Sequence, residues 1–229
     1  MVLNMKRLCL TLGILAILLF HHKGHGEEPS ISIGVSEIPF LLGRTPSQRG
    51  PYNDALDKIS ILGQEIEIVY LPPARAEILY ARKNISCLFP GSLESVDGKE
   101  HMIESNPLAV VHAFIFSLDK PLLSSNLTGQ RVAIRRGFTF GGIRKVIDAK
   151  FVEVEPETAA IKFLMRQRVI AVIGYLPDIL GAQKALKLDD LVLHRSDPIY
   201  SANEAFICHK THKNINFVND VNRLFPHKD

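Results

Sequence analysis

The sequence is short of the features that would announce a chemistry. It has three cysteines, at 9, 87 and 208, and no pair stands at metal-ligand spacing. His209 and His212, beside Cys208, read as a surface strand end rather than a zinc site. There is no Gly-x-Ser-x-Gly elbow, no His-Glu-x-x-His pair and no activated-cysteine pattern, so the common signatures of nucleophilic and zinc-assisted hydrolysis are missing. The longest apolar-biased run, Leu8 to Phe20, has 13 residues, too few to span a bilayer comfortably. No repeat or low-complexity tract appears. Neither a cofactor nor a metal is implied.

An excess of positive charge is also missing once the N-terminus is set aside. Lys6 and Arg7 precede the apolar run, and His21 to Gly26 follow it, in the n-, h- and c-region order of a secretory signal peptide. Gly24 and Gly26 place cleavage after Gly26, with a retained membrane anchor as the alternative. Cys9 lies inside this segment, away from a lipoprotein position. Without Lys6, Arg7 and Lys23 the 27 basic residues become 24, equal to the 24 acidic ones. A mature chain near neutrality argues against nucleic acid, whose backbone demands concentrated positive charge.

What is present is alternating α/β pattern. Glu65 to Ser92, EIEIVYLPPARAEILYARKNISCLFPGS, reads as strand, helix and strand. Ile66, Ile68 and Tyr70 alternate with Glu67 and Val69, a period of two. Pro72 and Pro73 break the strand, and Pro73 suits a first helical position because that N–H lacks a helical partner anyway. The helix is predicted to run to about Arg82, and Ile85 to Phe89 is the next strand. Such a unit implies a parallel sheet with ligands beyond its carboxyl ends. Arg75 sits in the first helical turn, where the macrodipole disfavours a cation by roughly 0.3 to 1 kcal/mol. It is either a solvated surface arginine or a cation facing the cleft.

Elsewhere, Ile31, Ile33 and Val35 form a first strand ending at Glu37, Pro39 and Phe40. A turn-rich loop, Arg44 to Tyr52, leads to a helix capped by Asn53 or Asp54. Ala109 to Ser117 is a long strand in which His112 is expected to be a hydrogen-bonded core residue, with a place lining the cleft as the alternative. Arg131 to Ile134 precedes a glycine-bearing turn, Arg135 to Gly142, which is either an anion cradle made by the Thr139 hydroxyl and free N–H groups at a helix start or a merely well-packed turn. Its three-glycine spacing is not the dinucleotide fingerprint. Phe151 to Val154 is a strand, a helix begins at Pro156 and Glu157, and Val169 to Ile173 leads into Gly174 and Tyr175. Phe217, Val221, Leu224 and Phe225 share one face of a final helix. Cys87 and Cys208 lie in apolar strand-like contexts, as two buried thiols or, in an oxidising compartment, as a disulfide.

The order PPARAEILYARKNISCLFP resembles the Pro-x-x-Arg-Ala, helix and strand-ending-in-Pro pattern of family 3 periplasmic solute-binding proteins. Asn126, Leu127, Thr128 and Gly129 before the Arg131 strand are similar to that family's Asp-Leu-x-Gly step, with Asn for Asp. Gly50, Tyr52 and Asp54 resemble its helix-opening step. The resemblance runs from Ser30 to the end. It implies a two-lobed α/β periplasmic-binding-protein-like fold of type II, each lobe a mostly parallel sheet flanked by helices, joined by two hinge crossings. Residues 27–112 and 204–229 would form one lobe and 113–203 the other.

The function so implied is periplasmic binding of a small polar or anionic solute, passed to a membrane permease or to a receptor acting in trans. The protein would be a monomer and not an enzyme, with no catalytic residue assigned. The expected ligand contacts are Glu37, Phe40, Tyr52, Arg75 and Ser92 from the first lobe, and Arg136, Phe138, Thr139 and Tyr175 from the second. Two rivals remain: a dehydratase-like enzyme on the same scaffold, for which Glu37 is the only cleft carboxylate in view, and a ligand-sensing module. The family's amino-acid binders use a Thr-x-x-Arg step for the α-carboxylate and an aspartate for the α-ammonium. Here Lys99 at best replaces the first, and Gly174 and Tyr175 stand where the second would be. An ordinary amino acid held in the usual way is therefore not expected.

Overall fold

Ile31, Ile33 and Val35 are fully buried because their strand, β1 (Ile31–Val35), is paired in parallel on both sides. The computed structural model describes residues 31–96, 98–188 and 192–227; the expected signal peptide, residues 1–26, lies outside them. From β1 the chain passes through α1 (Pro51–Ser60) to β2 (Ile66–Tyr70), then α2 (Pro73–Ala81) to β3 (Cys87–Gly91). Both prolines that open these helices stand at the first helical position, where their missing N–H costs nothing. In α1 this moves the start ahead of the expected cap. Asn53 lies inside the first turn, and its Oδ1 accepts from the N–H of Gly50 at 3.1 Å and of Gly43 at 2.9 Å.

The remaining elements are β4 (Met102–Glu104), β5 (Ala109–Ser117), β6 (Arg131–Arg135), β7 (Lys150–Val154), α3 (Glu157–Met165), β8 (Ala171–Tyr175), α4 (Leu176–Ala185), β9 (His194–Arg195), β10 (Tyr200–His209) and α5 (His212–Leu224). Strand order is β2-β1-β3-β10-β5-β8-β6-β7, with β4 on β10 and β9 on β5. Two parallel groups, β2-β1-β3 and β8-β6-β7, flank a central antiparallel pair. That pair makes the crossings. Tyr200 to Glu204 of β10 pair with β5, while Ala205, Ile207 and Cys208 pair with β3. This is the two-lobed arrangement.

Each parallel group is covered on both faces, as crossover helices require. One core of the first lobe joins Ile33, Leu56, Phe89 and Phe206 to Phe217 and Val221 of α5; the opposite face buries Ala76, Tyr80 and Leu88. Thr211 caps α5, its Oγ1 accepting from Asn214 N–H at 3.2 Å. In the second lobe Ile134 and Ile173 face one core, and Ala133 and Val172 face the other.

One open alternative is settled and two expectations change. Cys87 and Cys208 are directly opposite across β3 and β10, with Cα atoms 4.1 Å apart, and form a disulfide; antiparallel register decides this between residues 121 positions apart. His112 is exposed, since β5 alternates there with Val111 and Ala113 inward, and its Nδ1 lies 2.7 Å from Ser201 Oγ. The turn after β6 opens no α-helix. Gly141 (φ 62°) and Gly142 (φ 82°) adopt left-handed backbone within the 3-10 segment Phe140–Lys145, so its N–H groups do not align as a helix start would.

Candidate functional site

Where the carboxyl ends of β1, β3, β6 and β8 converge, the two lobes enclose a cavity of about 110 Å³. This is where parallel strands of α/β sheets leave room for ligands, because loops after the strands diverge to either side. Ser36 follows β1, Pro90 and Ser92 follow or end β3, and Pro73, Ala76 and Glu77 share the inward face of α2. The second lobe supplies Phe138, Thr139 and Phe140 from the glycine turn and Tyr175 from the end of β8. Glu204 enters from the crossing strand β10.

Phe89, Phe138, Phe140 and Tyr175 bring aromatic rings to an otherwise largely aliphatic and glycine-lined wall. Phe138, Phe140 and Tyr175 form a cluster with centroids 5.5, 5.9 and 4.8 Å apart pairwise, at tilted or edge-on angles that suit ring quadrupoles. On the other side Phe89 stacks on Phe206 at 4.2 Å and meets the edge of Tyr52 at 5.4 Å. The turn reaches the first lobe closely: Gly137 has φ 84°, and a Cβ there would lie 2.6 Å from Ala74 N. Only glycine fits that approach.

Two carboxyls face this cavity. Glu204 is buried, accepts a hydrogen bond at Oε2 from the Tyr52 hydroxyl, and burial raises it to about 8. Glu77 stands at the mouth, open to solvent along one side, with surrounding protein raising it to about 7. Desolvation also raises the Tyr175 hydroxyl, helped by Tyr200 and Asp178. Behind the aromatic wall Arg135 Nη1 donates to Glu157 Oε1 at 2.6 Å, beside buried Asp178. Burial raises both acids against the lowering effect of Arg135, and Glu157 further raises Asp178.

Of the residues expected from sequence, Ser92, Phe138, Thr139 and Tyr175 line the cavity. The other five stand elsewhere. Tyr52 lies one layer back, holding Glu204. Glu37 pairs with Arg44 at 3.5 Å and offers its carbonyl to Arg135 Nη2 at 3.2 Å. Phe40 lies under Lys184 of α4 at 4.4 Å. Glu37 and Phe40 thus belong to the seam between lobes. Arg75 is exposed on the outer side of α2, and Arg136 pairs with Glu153 at 3.4 Å. The helical period explains Arg75: Pro73, Ala76 and Glu77 share a face that excludes it. Strand alternation explains Arg136, since it is Arg135 whose side chain turns into the protein. Lys99 is exposed and lies off the cavity wall. Sequence reasoning missed Glu77 and Glu204, although Glu77 was legible from the same helical period, one turn after Pro73.

The fold and the cleft define a type II periplasmic-binding-protein-like architecture. An arginine-binding protein from T. maritima, in a mutant form, is 21% identical and superposes over 85% of this chain and 88% of its own with a TM-score of 0.69. The GluR0 ligand-binding core, solved with L-glutamate, is 17% identical, with coverage of 86% and 91% and a TM-score of 0.68. An ABC uptake transporter substrate-binding protein from Streptococcus pneumoniae, with bound histidine, is 12% identical, with coverage of 86% and 85% and a TM-score of 0.68. These likenesses show the fold that the family 3 solute-binding proteins share. No protein-family model matches the sequence, and no curated protein matches it.

Proposed function

We propose that this chain is a solute-binding protein that closes on one small organic molecule in the cavity between its lobes. The observation that carries this is the cavity itself, walled by Ser92 and Glu77 from one lobe and Phe138 and Tyr175 from the other. A ligand touching both lobes favours the closed state by its extra affinity for that state. The bodies that move are residues 31–112 with 204–227, and residues 113–203, hinged at β5 and β10. Ser92, Phe138, Thr139 and Tyr175 are the ligand contacts, with Glu77 and Glu204 added.

The solute passes from the closed protein to a membrane permease, or its presence is reported to a receptor in trans. Cleavage after Gly26 delivers a monomeric, unlipidated protein to the periplasm, and N-terminal sequencing of exported protein should begin at Glu27. Among the described residues no helix is long and apolar enough to cross a membrane. An anionic solute loses support, because neither Arg75 nor Arg136 lines the cavity.

Native mass spectrometry of freshly purified protein tests the reading: a small molecule should leave with the protein and be released unchanged. A second reading, dehydration chemistry, draws on one observation, that two carboxyls with raised affinity for protons share the cavity, as acid–base catalysis at neutral pH requires. Conversion of the released molecule on re-incubation would favour it.

A further inference from the structure

Building on the solute-binding reading, we propose that the cleft takes an organic monocation, an amine-bearing solute held between carboxylates and aromatic faces and needing no carboxylate of its own. The charge inventory is one-sided. Among the described residues the only ionised or acidic side chains on the wall, tyrosine aside, are Glu77 and Glu204. No lysine, arginine or histidine lines it. Of the nearby guanidinium groups, Arg75 is exposed on the outer side of α2 and the others are engaged, Arg44 with Glu37, Arg136 and Arg144 with Glu153, and Arg135 with Glu157. A buried anion would meet only neutral side-chain donors, the hydroxyls of Ser36, Ser92, Thr139 and Tyr175, and an unpaired buried charge is costly.

The layer behind offers an anion no free cation either. Behind Phe138, Phe140 and Tyr175, the single cation Arg135 is buried with two acids, Glu157 and Asp178. The rings between carry a negative quadrupole, which attracts an ammonium placed over a ring within about 6 Å of its centroid. Glu204 is held in place by the Tyr52 hydroxyl, so its orientation is set before a ligand arrives. The other titratable groups facing it are Glu77 from α2 and Tyr175 from β8, and none of them supplies positive charge. In the empty cavity burial keeps Glu204 largely protonated at neutral pH. An ammonium at a few ångströms favours the ionised form, so the amine's arrival converts a neutral acid into its counter-ion.

The test is calorimetric titration of the purified protein with butylamine, benzylamine and phenethylamine, each compared with the alcohol and the carboxylate of the same skeleton, alongside native mass spectrometry for any co-purified solute. The expected result is that amines bind roughly tenfold or more tightly than either comparator, the worth of a charge-assisted hydrogen bond. Glu204→Gln and Glu77→Gln should each weaken the amine by about tenfold, with thermal melts showing that both variants fold. Because Glu77 is at the mouth and outside the core, its variant keeps the test decisive if Glu204→Gln fails to fold. A co-purified cation gives the same support. An alcohol or carboxylate that binds as well as its amine, a co-purified neutral or anionic solute, or full affinity in both variants overturns the proposal and leaves solute binding intact. No binding by any probe and no co-purified molecule overturns both.

Discussion

Arg135 reaches out of the second lobe and donates from Nη2 to the backbone carbonyl of Glu37 in the first, 3.2 Å away. The same guanidinium donates from Nη1 to Glu157 and lies 4.9 Å from the centroid of the Phe138 ring. One buried side chain therefore connects the interlobe seam, the acid pair behind the cavity and the cavity's aromatic wall.

Removing that cation should leave Glu157 and Asp178 buried with no counter-charge. Arg135→Met is expected to lower the free energy of unfolding by about 3 to 5 kcal/mol, the usual cost of taking one partner from a buried ion pair. Urea denaturation measures it. A loss under about 1 kcal/mol would mean that the acids are neutral in the native state and that Arg135 matters only at the seam.

Closure has its own tight contact. A Cβ on Gly181 of α4 would stand 2.3 Å from the Pro39 carbonyl oxygen of the first lobe. Gly→Ala inside a helix ordinarily stabilises by roughly 0.5 to 1 kcal/mol. Gly181→Ala should instead hold the lobes apart, with an unchanged or raised melting temperature, a larger radius of gyration by small-angle scattering and lost ligand binding. A variant as compact as the parent would show that α4 can slide past Pro39.

The buried acid of the cavity makes stability depend on pH. Glu204 is raised from its ordinary 4.5 to about 8, so the folded state keeps a proton that the unfolded chain releases. Its contribution is present at low pH and lost as pH rises from about 4.5 through about 8. The ligand-free protein should lose at least about 1 kcal/mol between pH 5 and pH 8 from this group, and Glu204→Gln should flatten the slope. Asp178 and Glu157 shift in the same sense, so the slope should not vanish. Melting temperatures rising with pH across that window would contradict the assignment.

Cys87 and Cys208 close a loop of 121 positions. Long loops confine the unfolded chain most, and replacing both cysteines by alanine should cost about 2 to 5 kcal/mol. Guanidinium denaturation of the double variant, beside the parent with and without reductant, reads this out. Equal stability in all three would mean that the β3–β10 pairing holds this lobe without the covalent link.

Period, punctuation and order were legible without coordinates. Apolar alternation marks β1 and β2, the tandem prolines start α2 at Pro73, and the amphipathic final segment returns Phe217 and Val221 to the first core, because these depend on neighbours a few residues apart. Tertiary structure alone decided which side chains meet. Strand register brought Cys87 to Cys208 and turned Arg135 inward, helix phase chose Glu77 over Arg75 for the cleft, and contacts from Arg135 and Lys184 placed Glu37 and Phe40 at the seam. Such pairings are set by the packing of elements distant in the chain, where shifting a strand by one residue or a helix by a quarter turn exchanges a ligand contact for a surface charge.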